Sequence, residues 1–255
     1  MRTPPILRGS RAAFIFLTRI PVGGEDYRDD EWRWATAWFP GVGACLGLAL
    51  ALLWFVSTPL GPWPCAFLVI GVSMLLTGGF HEDGLADTAD AMGGAYDRDR
   101  LLEILKDSRV GAFGAMALFV SLGLKAALLA RLDGIAPAAL VATECLSRVT
   151  PIWLMVGLPY VTNDAQSRSR QVTRAGAQQM LLATAIGLAM LGLGWWSGHL
   201  NSTILIGVAV AMTVTPAICA WRFHVRAGGI TGDFLGATQQ LTQLALLIAF
   251  AAAQS

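Results

Sequence analysis

Long apolar stretches alternate with short polar segments along the whole chain, and this pattern predicts an all-α, polytopic bundle of transmembrane helices. Crossing about 30 Å of hydrocarbon takes roughly 20 mostly apolar residues in a helix. The shorter stretch 6–20 carries arginines and is predicted to lie in the membrane interface. Seven stretches approach the spanning length, at residues 35–56, 63–80, 110–132, 135–158, 178–196, 200–220 and 234–253.

The composition supports one integral membrane domain over residues 1–255. Hydrophobic residues make up 55% of the chain and charged residues only 14%, which is typical of a protein embedded in lipid. The net charge of +1 offers no global field that would attract nucleic acid, so nucleic acid is excluded as a partner. The cysteines lack CxxC spacing, which argues against a disulfide framework or zinc site; we expect all four to be buried, at Cys45, Cys65, Cys145 and Cys219.

The distribution of positive charge predicts the orientation of the bundle. Of the 18 lysines and arginines, Lys125 and Arg148 fall inside predicted spans, Arg131 lies on one side, and the rest lie on the other. The positive-inside rule places that richer side in the cytoplasm. We therefore expect a multi-pass protein of the inner membrane, with its N-terminus cytoplasmic, its C-terminus periplasmic and its chemistry at the cytoplasmic face, in the loop 81–109.

A dense group of acids follows the second apolar stretch. Residues 81–90 hold four carboxylates and neither lysine nor arginine. In a helix, Asp83, Asp87 and Asp90 are spaced i, i+4 and i+7 and share one face. Carboxylates so close repel one another unless a cation or proton lies among them, and hard oxygen ligands suit Mg²⁺. The spacing predicts a magnesium site on these three residues; the alternative is an acidic, solvated loop.

Two further polar groups are candidate parts of a site. Asp107 and Arg109 precede the third apolar stretch and are suited to completing a metal shell and holding a phosphate. The segment 228–238 is rich in glycine, and glycines at the start of a helix expose backbone N–H groups that bind phosphate. Arg222 and Arg226, just before it, would add bidentate partners. The alternative for this segment is a tight turn between two spans.

Two ionisable groups within spans remain. Glu144 and Arg148 are spaced i, i+4 inside the fourth stretch, and a charge pair in lipid is costly enough to indicate a function. A structural ion pair is the alternative. Lys125 lies near the outer end of its stretch, so we expect it to extend to the surface and have no role.

Five segments together resemble the cobalamin synthase family, the adenosylcobinamide-GDP ribazoletransferases. They cover nearly the whole chain in order: FLTRIP at 16–21, FPGVG at 39–43, GFHEDGLAD at 79–87 with Asp90, LKDSRVGAFG at 105–114 and GITGDFLGA at 229–237. The resemblance implies a magnesium-dependent enzyme that joins adenosylcobinamide-GDP to α-ribazole or its 5′-phosphate and releases GMP. Its partners would be these substrates and membrane lipid, and a homo-oligomer is a possible assembly.

The resemblance and the polar clusters together suggest a role for each candidate. Mg²⁺ on the diphosphate would be bound by Asp83, Asp87 and Asp90. A proton acceptor would be Asp90 or Asp233, and Asp107 would complete or support the metal site. The predicted substrate-binding residues are Arg109, Arg148, Gly229, Thr231 and Gly232.

Two other functions compete with this one. A CDP-alcohol phosphotransferase-like enzyme also places Asp-rich, Gly-containing motifs at a membrane helix end, but its Ala-Arg pair after the first glycine is absent here. A proton-coupled carrier would also use Glu144 and Arg148. A carrier needs gates on both faces, whereas the predicted outer loops carry almost no charge.

Overall fold

The computed structural model describes residues 4–23, 29–161 and 175–254, and within them the regular secondary structure is helical. The one β-type contact described is an isolated bridge between Tyr160 and Ile230. Short 3₁₀ turns cover Thr36–Trp38, Thr58–Leu60 and Asp133–Ile135. The α-helices are α1 Pro5–Leu17, α2 Asp29–Ala35, α3 Phe39–Ser57, α4 Pro62–Thr77, α5 Phe80–Gly94, α6 Arg98–Ile104, α7 Ala112–Arg131, α8 Ala136–Leu146, α9 Thr150–Gly157, α10 Ala177–Trp196, α11 Ser202–Ala227 and α12 Gly232–Ala252.

Six helical segments in the described parts of the chain are long and apolar enough to cross a membrane. A bent pair, α4 with α5, brings the number to seven if it is counted as one span. The predicted all-α polytopic fold is therefore confirmed. Large apolar side chains such as Phe55, Phe119 and Leu188 point outward and are exposed, as expected for a surface that faces lipid. The six segments are Glu31–Leu60, Ala112–Arg131, Asp133–Gly157, Ala177–Trp196, Ser202–Ala227 and Gly232–Ala252.

Two predicted stretches differ from the helices that form. The second ends at Thr77 rather than at position 80, because Gly78 and Gly79 adopt left-handed φ angles of 79° and 70°. The fourth divides into α8 and α9 around residues 147–149, just before Pro151. Proline cannot donate a backbone hydrogen bond and restricts the residue before it, which accounts for a break at this point.

Glycines on α3 allow it to approach α8 closely. A Cβ atom on Gly43 would overlap the carbonyl of Glu144, and one on Gly47 would lie 2.6 Å from the Cα atom of Val141. Small residues permit such backbone contact between membrane helices. The glycines at these two positions thus account for the close approach, which fixes the segment that carries Glu144.

All four cysteines are free, and three of them are buried as predicted. Cys45 is exposed, so its predicted burial is wrong. It lies two positions along α3 from Gly43, and successive residues of a helix point about 100° apart. Position 45 is therefore turned away from the side on which Gly43 meets the Glu144 backbone, and a small apolar side chain exposed there is compatible with lipid.

The N-terminal helix α1 is attached to both α3 and α4. Ile6 accepts a hydrogen bond through its carbonyl from Trp38 Nε1 at 2.7 Å, and Arg19 N donates to the Leu76 carbonyl at 2.7 Å. The Arg19 guanidinium packs against Gly78, where a Cβ atom would overlap it. The end of α1 is therefore held at the bend between α4 and α5.

Candidate active site

The bend after α4 places the acidic segment across the end of the bundle. The two left-handed glycines turn α5 by 93° from α4. A residue with a side chain rarely adopts such a φ angle, whereas glycine does so without steric cost. The carboxylates of α5 therefore lie where α4 ends and α12 begins, instead of continuing into the apolar layer.

The acids on one face of α5 meet the first turn of α12. Asp83 is exposed and Asp87 is half-buried. A Cβ atom on Gly84 would lie only 2.9 Å from the carbonyl oxygen of Asp233, so the two backbones are in contact. The charged neighbours of Asp87 are Asp83, Asp233 and Asp90. The structure thus adds Asp233 to the predicted acidic face.

Asp90, the third residue of the predicted metal set, caps the start of α7. Its two carboxylate oxygens accept backbone hydrogen bonds from Gly111 at 2.7 Å and from Gly114 at 2.9 Å. A carboxylate at this position satisfies free N–H groups and interacts favourably with the positive end of the helix. Asp90 therefore attaches α7 to α5 through both of its carboxylate oxygens.

Replacing Asp90 by alanine should lower the free energy of unfolding by about 1–2 kcal/mol, the typical cost of losing a helix cap. Asp90→Asn retains one acceptor oxygen and should cost less. Thermal unfolding in detergent would measure both effects. An increased Mg²⁺ requirement with unchanged unfolding would instead show that Asp90 is a metal ligand.

A cavity of about 220 Å³ opens beside these acids. Helices α1, α3, α5, α9 and α12 contribute to its wall, together with the break that carries Arg148. Its polar side chains are His81, Asp83, Arg148, Asp233 and Gln239, and its apolar ones include Phe16, Leu17, Phe39, Phe80, Pro151, Met155 and Leu235. One end can thus bind a charged group while the other excludes water.

Arg148 contributes a buried guanidinium to the cavity. Its side chain is 2% exposed and pairs with Glu144, one helical turn earlier, through Nη1. The predicted i, i+4 pair is therefore present. Gln243 Nε2 donates to the other Glu144 oxygen at 2.8 Å. Among the residues that the structure describes, none is a hydrogen-bond partner of the buried Nε atom of Arg148, so a donor of this group remains available to a ligand.

Behind the cavity lies a buried polar network that the sequence analysis missed. Lys125, predicted to extend to the surface, is 5% exposed and donates to Gln240 Oε1 and Gln243 Oε1, both at 2.9 Å. Gln240 Nε2 in turn donates to Glu82 Oε1 at 2.9 Å. The prediction for Lys125 is wrong because α12 presents glutamines to it. Three glutamines within an apolar helix, at positions 239, 240 and 243, were the available signal.

Asp107 and Arg109 do not line the cavity. They form an ion pair with each other, with Arg109 Nη2 2.6 Å from Asp107 Oδ2, and the Arg109 side chain is 87% exposed. Hydrogen bonds from Arg109 hold the pKa of Asp107 at about 2. The predicted roles in a metal shell and in phosphate binding therefore receive no support from this arrangement.

The glycine-rich segment 228–238 contributes to the cavity only from residue 232 onward, through Gly232, Asp233, Leu235 and Gly236. Gly229 packs beneath the Pro159 carbonyl, which a Cβ atom would overlap. Thr231 caps α12 by accepting a backbone N–H from its first turn at 3.3 Å. Residues 228–231 thus form the tight turn that was the alternative prediction, whereas residues 232–238 belong to α12.

The two arginines before this segment have other contacts. Arg226 Nη2 donates to the Ala95 carbonyl at 2.6 Å, which joins the end of α11 to the end of α5. The Arg222 guanidinium lies 5.6 Å from the Trp221 ring centroid. Neither residue lines the cavity, so the geometry does not support their predicted contribution to phosphate binding.

The carboxylates fit magnesium in their chemistry. No three His, Cys, Asp or Glu side chains within residues 4–23, 29–161 and 175–254 are close enough together to hold a metal ion as they stand. Mg²⁺ typically uses one or two carboxylates, while substrate phosphates and water supply the remaining oxygens. Asp83 and Asp87, with Asp233 nearby, provide that kind of donor set. The site therefore suits an ion that is bound partly by a substrate diphosphate better than an ion that is bound by protein ligands alone.

Comparison with known proteins gives a consistent family. The family model described as "Cobalamin-5-phosphate synthase" matches residues 9–251. Relatives named adenosylcobinamide-GDP ribazoletransferase include one from Polaromonas sp. strain JS666, which is 40% identical over 94% of both chains. Those from Leptothrix cholodnii and Rhizobium meliloti are 39% and 37% identical, over 97% and 93% of this chain and 97% and 94% of theirs. No solved structure matches. The chain therefore belongs to the cobalamin-5-phosphate synthase family of cobalamin-synthesising transferases.

Proposed function

We propose that this protein joins adenosylcobinamide-GDP to α-ribazole or its 5′-phosphate and releases GMP, with Mg²⁺ as cofactor. The ribazole 3′-hydroxyl oxygen would form a bond to the cobinamide-linked phosphorus. The bond from that phosphorus to the oxygen of the GMP phosphate would break. The observation that carries this assignment is one cavity in which Asp83, Asp233 and Arg148 meet, in a chain of this family.

Asp83 and Asp87 are the residues that would hold Mg²⁺, since they share one face of α5, on which Asp83 is exposed and Asp87 is half-buried. When bound, the ion would neutralise charge on the diphosphate. Asp90 is assigned the capping role instead, because both of its oxygens accept backbone N–H groups at the start of α7.

Arg148 would bind a phosphate oxygen through its free Nε atom. Its other side-chain contacts fix the guanidinium through Glu144, which is itself held by Gln243. A hydrogen-bond donor that is already held in place does not have to move during the reaction. It can therefore stabilise the negative charge that develops during phosphoryl transfer at no cost of reorganisation.

Asp233 is the carboxylate that would take the proton of the attacking hydroxyl. Asp233 and Asp90 were the two candidates from the sequence, and only Asp233 lines the cavity. It lies at the start of α12, opposite Gly84. A base must come within hydrogen-bond reach of the proton that it removes, and this position meets the polar end of the cavity.

The charge distribution supports a location at the cytoplasmic face of the inner membrane. Positive residues concentrate on the side of the predicted spans that carries the acidic loop. The positive-inside rule then puts both the site and the N-terminus in the cytoplasm, where nucleotide substrates would reach the cavity directly.

Purified protein in detergent or liposomes, given adenosylcobinamide-GDP, α-ribazole 5′-phosphate and Mg²⁺, should release GMP in proportion to the cobamide formed. Omitting ribazole phosphate, or chelating Mg²⁺, should stop the release. CMP release from a CDP-alcohol would support the phosphotransferase alternative. Uptake of ribazole into liposomes without nucleotide turnover would support the carrier.

A further inference from the structure

We propose that the apolar end of the cavity, formed chiefly by Phe16 and Phe80, binds the benzimidazole-type ring of α-ribazole. This inference rests on the proposed function and assigns one substrate to one part of the site. It also gives α1 a part in ligand binding, since Phe16 lies near the end of that helix.

The aromatic side chains form a preassembled wall. The Phe16 ring stacks on Phe39, with centroids 5.5 Å apart and planes 4° apart. It meets Phe80 edge to face at 6.0 Å and 71°. Phe39 is buried, whereas Phe16 and Phe80 are half-buried and line the cavity. Aromatic rings favour offset-stacked or edge-to-face contacts, so this wall suits a further planar ring.

The volume limits which part of the substrates can enter. An engineered apolar cavity of about 150 Å³ admits benzene. The cavity here measures about 220 Å³, which suits a bicyclic ring and is much too small for a corrin macrocycle. The corrin must therefore lie outside, and only a base can occupy the apolar end.

The chemistry of the wall favours the benzimidazole-type ring over guanine. Besides the phenylalanines, this end contains Leu17, Pro151 and Met155, whose side chains offer no conventional hydrogen-bond donor, and the polar ring beside it is that of His81, 3.9 Å from the Phe80 ring. Guanine carries several donors and acceptors along its polar edge, more than the single His81 ring could satisfy, and leaving the others unpaired is costly. A largely apolar bicyclic base avoids that cost.

The same placement directs the ribose toward the reacting groups. Asp233 and Arg148 line the same cavity as the aromatic wall. A base at the apolar end would leave its attached sugar at the polar end. The hydroxyl nucleophile would then lie beside the proposed proton acceptor, and the diphosphate beside Arg148.

Steady-state kinetics with each substrate varied separately would test the inference. Phe80→Leu and Phe16→Leu should each raise KM for α-ribazole 5′-phosphate about tenfold, equivalent to about 1.4 kcal/mol. KM for adenosylcobinamide-GDP should stay within about twofold of its original value. Phe80→Tyr keeps the ring and should retain the original KM values. Phe119→Leu, on an outward-facing and exposed position, is the matched control and should change neither.

The outcomes separate this inference from the proposed function. A raised KM for adenosylcobinamide-GDP alone, or for both substrates equally, would overturn the ring assignment while GMP release still established the reaction. Unchanged KM values in both leucine variants would overturn it as well. Absence of GMP release from the unaltered protein would instead reject the proposed function. Unfolding temperatures of all variants show whether a kinetic change reflects loss of folded protein.

Discussion

Asp83→Asn is expected to lower GMP release at least about 100-fold, comparable to the loss of a key charge-stabilising group in other enzymes. The substitution keeps the size of the side chain but removes one of the two negative charges proposed to hold Mg²⁺. Asp83 is exposed, so the helical bundle should fold normally. Initial rates of GMP release at saturating substrates would measure the loss.

Asp107→Asn is the matched control for Asp83→Asn. It makes the same chemical change in an aspartate that pairs with Arg109 away from the cavity, and its activity should be nearly unchanged. Raising the Mg²⁺ concentration should restore part of the activity of Asp83→Asn only. Full activity of Asp83→Asn at ordinary Mg²⁺ would remove this residue from the site.

Lys125→Met should be the most destabilising substitution in the buried network, with a loss of about 3–5 kcal/mol in the free energy of unfolding. The methionine fills similar space but leaves the carbonyl oxygens of Gln240 and Gln243 without their donor. It also removes the positive charge near Glu82 and Glu144. Unpaired polar groups in the interior of a membrane protein are costly. Unfolding in mixed detergent micelles would measure the effect.

The only other lysine provides the control. Lys106 is exposed, and Lys106→Met makes the same chemical change at the surface, where the free energy of unfolding should move by less than about 0.5 kcal/mol. Equal stability of the two variants would mean that water or rearranged glutamines replace the Lys125 ammonium, contrary to the expectation.

The membrane-spanning pattern was predictable because hydrophobic length is a property of the sequence alone. The pairing of Glu144 with Arg148 was equally accessible, since i, i+4 residues of one helix meet whatever surrounds them.

The composition of the site was less predictable because it depends on contacts between distant segments. Asp83, Asp87 and Asp90 share a helical face, but only the position of α7 shows that Asp90 is a cap. Asp107 and Arg109 are close in sequence to the acidic face and yet pair with each other at the surface. The surface position predicted for Lys125 rests only on its depth in a span. Its actual contacts are with glutamines more than 100 positions later in the sequence.

The contact between α5 and α12 sets how precisely the proposed catalytic carboxylates can be spaced. Gly84 meets the Asp233 backbone, and a Cβ atom on Gly236 would lie 3.5 Å from the Gly84 Cα atom. The two backbones are in direct contact here, and no side chain lies between them whose rotamer could change the distance. Even one added methyl group at position 84 would act as a wedge, and it would widen the separation of Asp83 from Asp233 without altering either acid. The distance between the two proposed catalytic carboxylates would thus be determined by Gly84 and Gly236, two residues that have no side chain.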